Sequence, residues 1–104
     1  METDWVVGEV MKELAERKVA ANTIFLFTTD NGCSPAAGIP KLVSQGHKPN
    51  ADWRGHKADI YEGGHRVPFL VRWPDRVKPN SSFNPPICPT DFFATSAANL
   101  GVRG

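Results

Sequence analysis

One apolar run decides the fold: TIFLFTT at positions 23–29, which leads directly into Asp30, Asn31 and Gly32. Continuous apolar and β-branched residues predict a strand covered on both faces, as in a parallel sheet with helices on either side. In open α/β sheets, ligands bind at the carboxyl ends of such strands. Asp30 and Asn31 are therefore candidate binding residues, although Asp-Asn-Gly is also an ordinary turn, and taken alone the turn interpretation is the stronger one.

A second segment combines many functional groups with glycines. It reads GHKADIYEGGHRVP at positions 55–68 and continues as FLVRW. Adjacent Gly63 and Gly64 allow positive φ angles and a close approach of the backbone to a neighbour or ligand. Because Val67 precedes a proline, we expect the chain to leave this turn as a strand over 68–73. Composition alone leaves open whether the segment is a solvated loop or the rim of a binding site.

Two helices are predicted to flank these segments. The first covers about residues 4–17, with Thr3 as N-cap, and we interpret its apolar stripe as core packing rather than a partner-binding face. The second covers about residues 90–100 and ends at Gly101. From 32 to 55 the sequence shows no periodicity, which is long for a loop in a compact domain. Such a loop is either functional or packs against a part of the protein outside these residues.

The predicted order is helix, strand, long loop, strand, helix. A short edge strand is predicted around Ile87 and Cys88. Two strands and two helices cannot satisfy both sheet edges or cover both sheet faces. We therefore predict an α/β chain in which residues 1–104 form a single partial domain, a piece of a larger doubly wound mixed or parallel sheet. Met1 is followed by a charged, helix-like sequence, so we expect it to lie inside a larger protein.

Composition narrows the function classes. The 104 residues are 40% hydrophobic and 22% charged, which is typical of a folded domain. A net charge of +1 gives no broad attraction to nucleic acid, and no apolar run is long enough to span a bilayer. Cys33 and Cys88 permit one disulfide without requiring it, and neither zinc-ligand spacing nor a C-x-x-C motif is present.

Three blocks, taken in order, resemble the sulfatase family of the alkaline-phosphatase-like superfamily. They are FTTDNG at 27–32, the pattern G-x-K-x-x-x-Y-E-G-G-x-R-x-P at 55–68 with a strand that ends in Trp-Pro, and DFFAT at 91–95. The similarity is closest to the arylsulfatase and N-acetylgalactosamine-6-sulfatase type and covers nearly the whole chain. It implies the C-terminal part of a sulfatase catalytic domain.

The resemblance assigns roles to three side chains. Asp30 and Asn31 match positions that complete a calcium site, and carboxylate and amide oxygens suit that ion. Lys57 matches a position that contacts the oxygens of the sulfate ester, where an ammonium offsets developing charge. The family takes its other acidic ligands from upstream sequence. We therefore expect weak or no calcium binding by this chain alone.

The nucleophile of the family is a formylglycine made from the first residue of a C/S-x-P-S-R motif. The sequence CSPAA at positions 33–37 matches only its Cys and Pro, and lies after the Asp-Asn-Gly block rather than before it. We therefore expect that Cys33 is not a nucleophile and that the isolated chain is inactive. His56 and His65 are not assigned acid–base roles.

Alternatives stay open at this stage. A phosphodiesterase or phosphonate hydrolase of the same superfamily would use the same retained residues. A non-catalytic α/β interaction module would instead bind a partner through its exposed sheet edge. The expected partners are a sulfate ester, such as a sulfated sugar, and the remainder of the sulfatase domain, with no nucleic acid and no membrane. For the parent protein the resemblance implies an extracytoplasmic setting: periplasmic, secreted or lysosomal.

Overall fold

The computed structural model describes residues 2–101. Four α-helices, two short 3₁₀ turns and two strands are present there. In chain order they are α1 (Glu2–Glu16), a 3₁₀ turn (Ala20–Asn22), β1 (Phe25–Thr28), a 3₁₀ turn (Pro35–Ala37), α2 (Ile39–Ser44), α3 (Glu62–His65), β2 (Phe69–Arg72) and α4 (Asp91–Asn99). The two predicted outer helices and the two predicted strands are present. α2 and α3 are additional.

The two strands form an antiparallel pair. Phe25 lies opposite Arg72, and Thr28 lies opposite Phe69. Apolar continuity favoured a parallel neighbour, and this pair does not show one, because continuous apolarity reports coverage of both strand faces and not the direction of the adjacent strand. An antiparallel pair is compatible with the mixed sheet that was also predicted. A mixed α/β chain is confirmed. The larger doubly wound sheet stays a prediction.

Three local predictions require correction. α1 begins at Glu2, so Thr3 lies within its first turn instead of capping it, and acidic residues there suit the helix dipole. The aperiodic segment 32–55 contains α2, which has only six residues and a proline in its first turn. Within residues 2–101 no strand forms around 87–88, where prolines on both sides remove ladder donors.

The chain buries little of its apolar surface. Its accessible surface is 8753 Å², whereas a folded monomer of this mass exposes about 5,800 Å². Its radius of gyration is 16.7 Å, against about 13 Å for a compact domain of this length. Among residues 2–101 no apolar side chain is fully buried, and Val6 and Val10 of α1 remain 47% and 43% exposed. The stripe predicted to pack in a core is open in this chain.

An apolar groove separates α1 from the sheet. Its volume is about 420 Å³, and its apolar walls include Val7, Met11, Phe25, Phe27 and Leu70. Apolar surface is therefore open between α1 and the sheet, and on α4 the side chains of Phe92 and Phe93 are 46% and 83% exposed. No helix described between residues 2 and 101 is both long enough and apolar enough to cross a bilayer.

Candidate functional site

The loop that follows β1 carries two of the predicted site residues. The Thr29 hydroxyl donates to the Asn31 carbonyl at 3.1 Å, and Asn31 Nδ2 donates to the Gly32 carbonyl at 3.0 Å. Within residues 2–101 no hydrogen bond or ion pair engages the Asp30 carboxylate or Asn31 Oδ1. The turn and binding interpretations are therefore compatible, because the bends use other atoms and leave one carboxylate and one amide oxygen available.

Lys57 lies in a sharply bent segment at positions 55–61, which is called the lysine loop below. The φ angles of Gly55 and Ala58 are 87° and 77°, and the second is uncommon for a residue other than glycine. The Asp59 carboxylate accepts a hydrogen bond from the His56 backbone N–H at 3.0 Å. Lys57 itself is exposed, and its ammonium has no ion-pair partner among residues 2–101. Its charge is therefore available to an anion.

Two backbone hydrogen bonds join the loop after β1 to the segment 55–65, which contains Lys57 and α3. The Gly32 N–H donates to the Gly64 carbonyl at 2.8 Å, and the Lys57 N–H donates to the Cys33 carbonyl at 3.0 Å. Cys33 lies three residues after Asp30 in the chain. The predicted site residues Asp30, Asn31 and Lys57 therefore lie on adjoining loops. Their predicted chemical roles stay predictions.

The glycines act through close approach, not through positive φ. Gly63 and Gly64 lie in α3 and are not among the described residues with positive φ, so that part of the prediction is wrong. They are buried, and a Cβ on Gly63 would lie 2.2 Å from the Gly55 carbonyl oxygen. A Cβ on Gly32 would lie 1.8 Å from the Gly63 carbonyl oxygen. Only glycine fits where the two loops meet.

Asn50 also joins the two loops, and the sequence interpretation missed it. Its Oδ1 accepts a hydrogen bond from the Cys33 N–H at 2.8 Å, and its Nδ2 donates to the Gly55 carbonyl at 3.0 Å. The residue follows Pro49 in an aperiodic loop. Asparagine is common in such loops for local reasons, so the sequence alone carries no signal of this long-range contact.

Arginine side chains stack on aromatic rings around the same loop. The Arg54 guanidinium lies 3.7 Å from the centre of the Tyr61 ring, and Arg66 lies 4.2 Å from that of Trp53. Arg66 also forms an ion pair with Glu62 at 2.9 Å. These contacts link the residues before Gly55 to α3.

The histidines make local contacts. His56 Nδ1 lies 3.3 Å from an Asp59 carboxylate oxygen and 3.0 Å from the Lys57 carbonyl oxygen, and His65 Nε2 lies 3.7 Å from Glu62. Each of these partners lies within three residues in the chain. The geometry gives neither histidine a distinct acid–base position.

Both cysteines are free thiols. Cys33 is half-buried, and its backbone carbonyl and N–H join the loops, while its Sγ lies 3.6 Å from the Ser34 carbonyl. Cys88 is exposed, and hydrogen bonds from the Thr90 side chain and backbone lower the pKa of its thiol. The Thr90 hydroxyl lies 2.9 Å from the Cys88 sulfur.

One charged pair lies in the loop between α2 and the lysine loop. Lys48 Nζ and Asp52 Oδ1 are 2.6 Å apart. This hydrogen bond raises the pKa of Lys48 and lowers the pKa of Asp52. Both groups are open to solvent, so the pair contributes little to stability.

The residues present fit calcium in type but not in number. Asp30 and Asn31 offer hard oxygen atoms that no hydrogen bond occupies within the described part of the chain. Calcium takes about six to eight such ligands. No group of three or more histidine, cysteine, aspartate or glutamate residues between 2 and 101 could hold a metal ion.

The family model described as Sulfatase matches residues 1–102. The chain belongs to the sulfatase family. The N-acetylgalactosamine-6-O-sulfatase of Bacteroides thetaiotaomicron is 40% identical over 103 residues, covering 96% of this chain and 20% of that protein. The steryl-sulfatase of Rattus norvegicus is 38% identical over 105 residues, which cover 98% of this chain and 18% of that protein.

Arylsulfatase G of Canis lupus familiaris shows a similar relation to this sulfatase chain. It is 35% identical over 107 residues, which cover 97% of the chain and 19% of that protein. The chain therefore spans about a fifth of the length of the curated relatives it matches. No solved structure gives a significant match.

Proposed function

We propose that this chain forms part of a sulfatase catalytic domain that hydrolyses sulfate esters. The observation that carries the proposal is the pair of backbone hydrogen bonds that join the loop of Asp30 and Asn31 to Lys57 and to Gly64 of the following helix α3. Family membership supplies the reaction class. The junction supports a shared site because the backbone that carries Asp30 and Asn31 is hydrogen-bonded to the backbone that carries Lys57.

The three side chains would have two different roles. Asp30 and Asn31 would coordinate calcium through their side-chain oxygen atoms, and the remaining ligands would come from other parts of the sulfatase domain. Calcium, when bound, supplies positive charge that favours binding of the sulfate group. Lys57 would contact a sulfate oxygen and stabilise the negative charge that develops as the S–O bond to the leaving group breaks.

The nucleophile is expected from elsewhere in the parent protein. The 104 residues contain no complete C/S-x-P-S-R motif, and Cys33 is followed by Ala36 and Ala37 where that motif has Ser and Arg. We propose that a formylglycine outside these residues serves the site and that the purified 104-residue chain gives no turnover. Release of 4-nitrocatechol from its sulfate ester by the chain would contradict this.

The lysine role can be tested in a larger enzyme. The chain would replace the 103 matched residues of the Bacteroides thetaiotaomicron relative, and sulfate release from 6-O-sulfated N-acetylgalactosamine would be measured by ion chromatography. Lys57→Ala should lower kcat by roughly 10²–10³-fold, the usual effect of removing one group that stabilises transition-state charge. Lys41→Ala is the matched control, since Lys41 is an exposed lysine on α2. Equal activity of the two variants would refute the role of Lys57.

A further inference from the structure

Several hydrogen bonds fix the backbone around Lys57. The Cys33 carbonyl accepts from the Lys57 N–H at 3.0 Å, and the Asp59 carboxylate accepts from the neighbouring His56 N–H at 3.0 Å. The Gly55 carbonyl, two residues before the lysine, accepts from Asn50 Nδ2 at 3.0 Å. The Asp59 contact is local. The contacts with Cys33 and Asn50 reach beyond the lysine loop.

Asn50 is the side chain that contacts both loops at once. Its Oδ1 accepts from the Cys33 N–H at 2.8 Å, across 17 positions of sequence. A hypothetical Cβ on Gly32 would also lie 3.3 Å from this oxygen, so the amide is packed against the junction. The side chain is half-buried. Loss of either bond would leave a backbone group with restricted access to replacement water.

The two ends of the Asn50 amide make the two bonds. Its oxygen accepts from an N–H while its nitrogen donates to a carbonyl. An ionised aspartate at position 50 would accept from Cys33 but would set a negative charge against the Gly55 carbonyl. A leucine of similar volume would make neither bond. The aspartate and leucine variants therefore distinguish the loss of the Gly55 hydrogen bond from the loss of both hydrogen bonds.

We infer that Asn50 is a positioning residue that sets the separation between the Asp30–Asn31 loop and the Lys57 loop. The inference rests on the proposed function for its catalytic consequence, because those loops carry the proposed calcium ligands and the sulfate-binding lysine. Asn50 itself touches neither substrate nor metal in this role. It acts through Cys33 and Gly55.

The test follows individual amides of the 104-residue chain by ¹⁵N NMR and hydrogen exchange. Asn50→Asp should keep the protection of the Cys33 amide and lower that of Lys57 about tenfold, since one bond of the bridge is lost. Asn50→Leu should lower both. The matched control is Asn99→Asp, because Asn99 Nδ2 donates to the Thr95 carbonyl within α4 at 2.8 Å. It should change neither amide.

A nuclear Overhauser contact between the paired residues Phe27 and Leu70 reports on general folding. If this contact disappears in both Asn50 variants, the residue serves overall stability and the positioning role is overturned. Unchanged Cys33 and Lys57 amides in both variants would overturn it as well. Retained sheet contact with the selective pattern above supports it.

Activity is measured separately in the transplanted enzyme, in which this chain replaces the 103 matched residues of the Bacteroides thetaiotaomicron relative. Asn50→Asp should lower kcat/KM for sulfate release about tenfold, with Asn99→Asp unchanged. Full activity in Asn50→Asp would overturn the positioning role while leaving the sulfatase proposal intact. If the transplanted enzyme hydrolyses no sulfate ester although it binds calcium, the proposed function fails and the amide measurements still decide whether Asn50 bridges the loops.

Discussion

Substitution of Gly32 by alanine should separate the two loops of the candidate site. The new Cβ would lie 1.8 Å from the Gly63 carbonyl oxygen, which is backbone and cannot rotate away. To restore an ordinary van der Waals distance between this Cβ and the oxygen, the two segments must move apart by more than about 1 Å. Such a shift would lengthen the Gly32–Gly64 hydrogen bond from 2.8 Å beyond bonding distance, and the adjacent Lys57–Cys33 bond would weaken with it.

The cost follows from those two hydrogen bonds. A protein hydrogen bond contributes about 0.5–1.5 kcal/mol, and leaving its groups unpaired in a restricted site adds to the loss. Opening of the loop junction should therefore become easier by about 2–3 kcal/mol. Exchange of the Lys57 amide would then be faster by roughly 30–150-fold, at about 1.4 kcal/mol for each tenfold change.

Hydrogen exchange of the Lys57 amide in the 104-residue chain measures this directly. Gly8→Ala is the matched control, because a Cβ there has no neighbour within 4 Å and the residue lies in α1. That variant should gain up to about 1 kcal/mol of helix stability and leave the Lys57 amide unchanged. Unaltered exchange in Gly32→Ala would refute the close-approach argument for this glycine.

Three further outcomes are expected. Ala58→Gly should stabilise the lysine loop by up to about 1 kcal/mol, since φ of 77° strains alanine, whereas Ala36→Gly in the 3₁₀ turn should destabilise the chain; urea titrations would show whether the signs differ. Thr90→Val should raise the pKa of Cys88 and slow its alkylation near neutral pH, because the hydroxyl hydrogen bond that lowers this pKa is lost; an equal effect of Thr95→Val would contradict this. Calorimetry should find no tight calcium binding to the isolated chain, since it offers two oxygen ligands of about six to eight; micromolar affinity would be the contrary result.

The sequence predicted the elements that are long or strongly patterned. The outer helices and both strands are confirmed, with ends within a few residues of the predicted ones. The glycine at position 101, with φ of 72°, terminates the last helix as expected. α2 and α3 were missed because six and four residues are too few for helical periodicity to register.

The candidate site was predictable in its side chains but not in its framework. Motifs identified Asp30, Asn31 and Lys57, whose loops the structure joins. The bridge by Asn50 escaped prediction because contacts 17 residues apart depend on the path of an aperiodic loop. The antiparallel pairing of the strands escaped for a related reason, since apolar continuity carries no information about a neighbour's direction.

The backbone hydrogen bonds that hold the site loops and the apolar faces available for packing lie in different parts of this chain. The only buried residues between 2 and 101 are Gly63 and Gly64, at the junction of the site loops, where backbone hydrogen bonds converge. The large apolar side chains of α1, β2 and α4 stay partly or largely exposed. Hydrogen bonds depend on the local path of the backbone, whereas burial of apolar faces requires a second packed layer. The loop junction is therefore specified by these residues themselves, and the stability of the elements that carry it should rise when the remainder of a sulfatase domain covers their apolar faces.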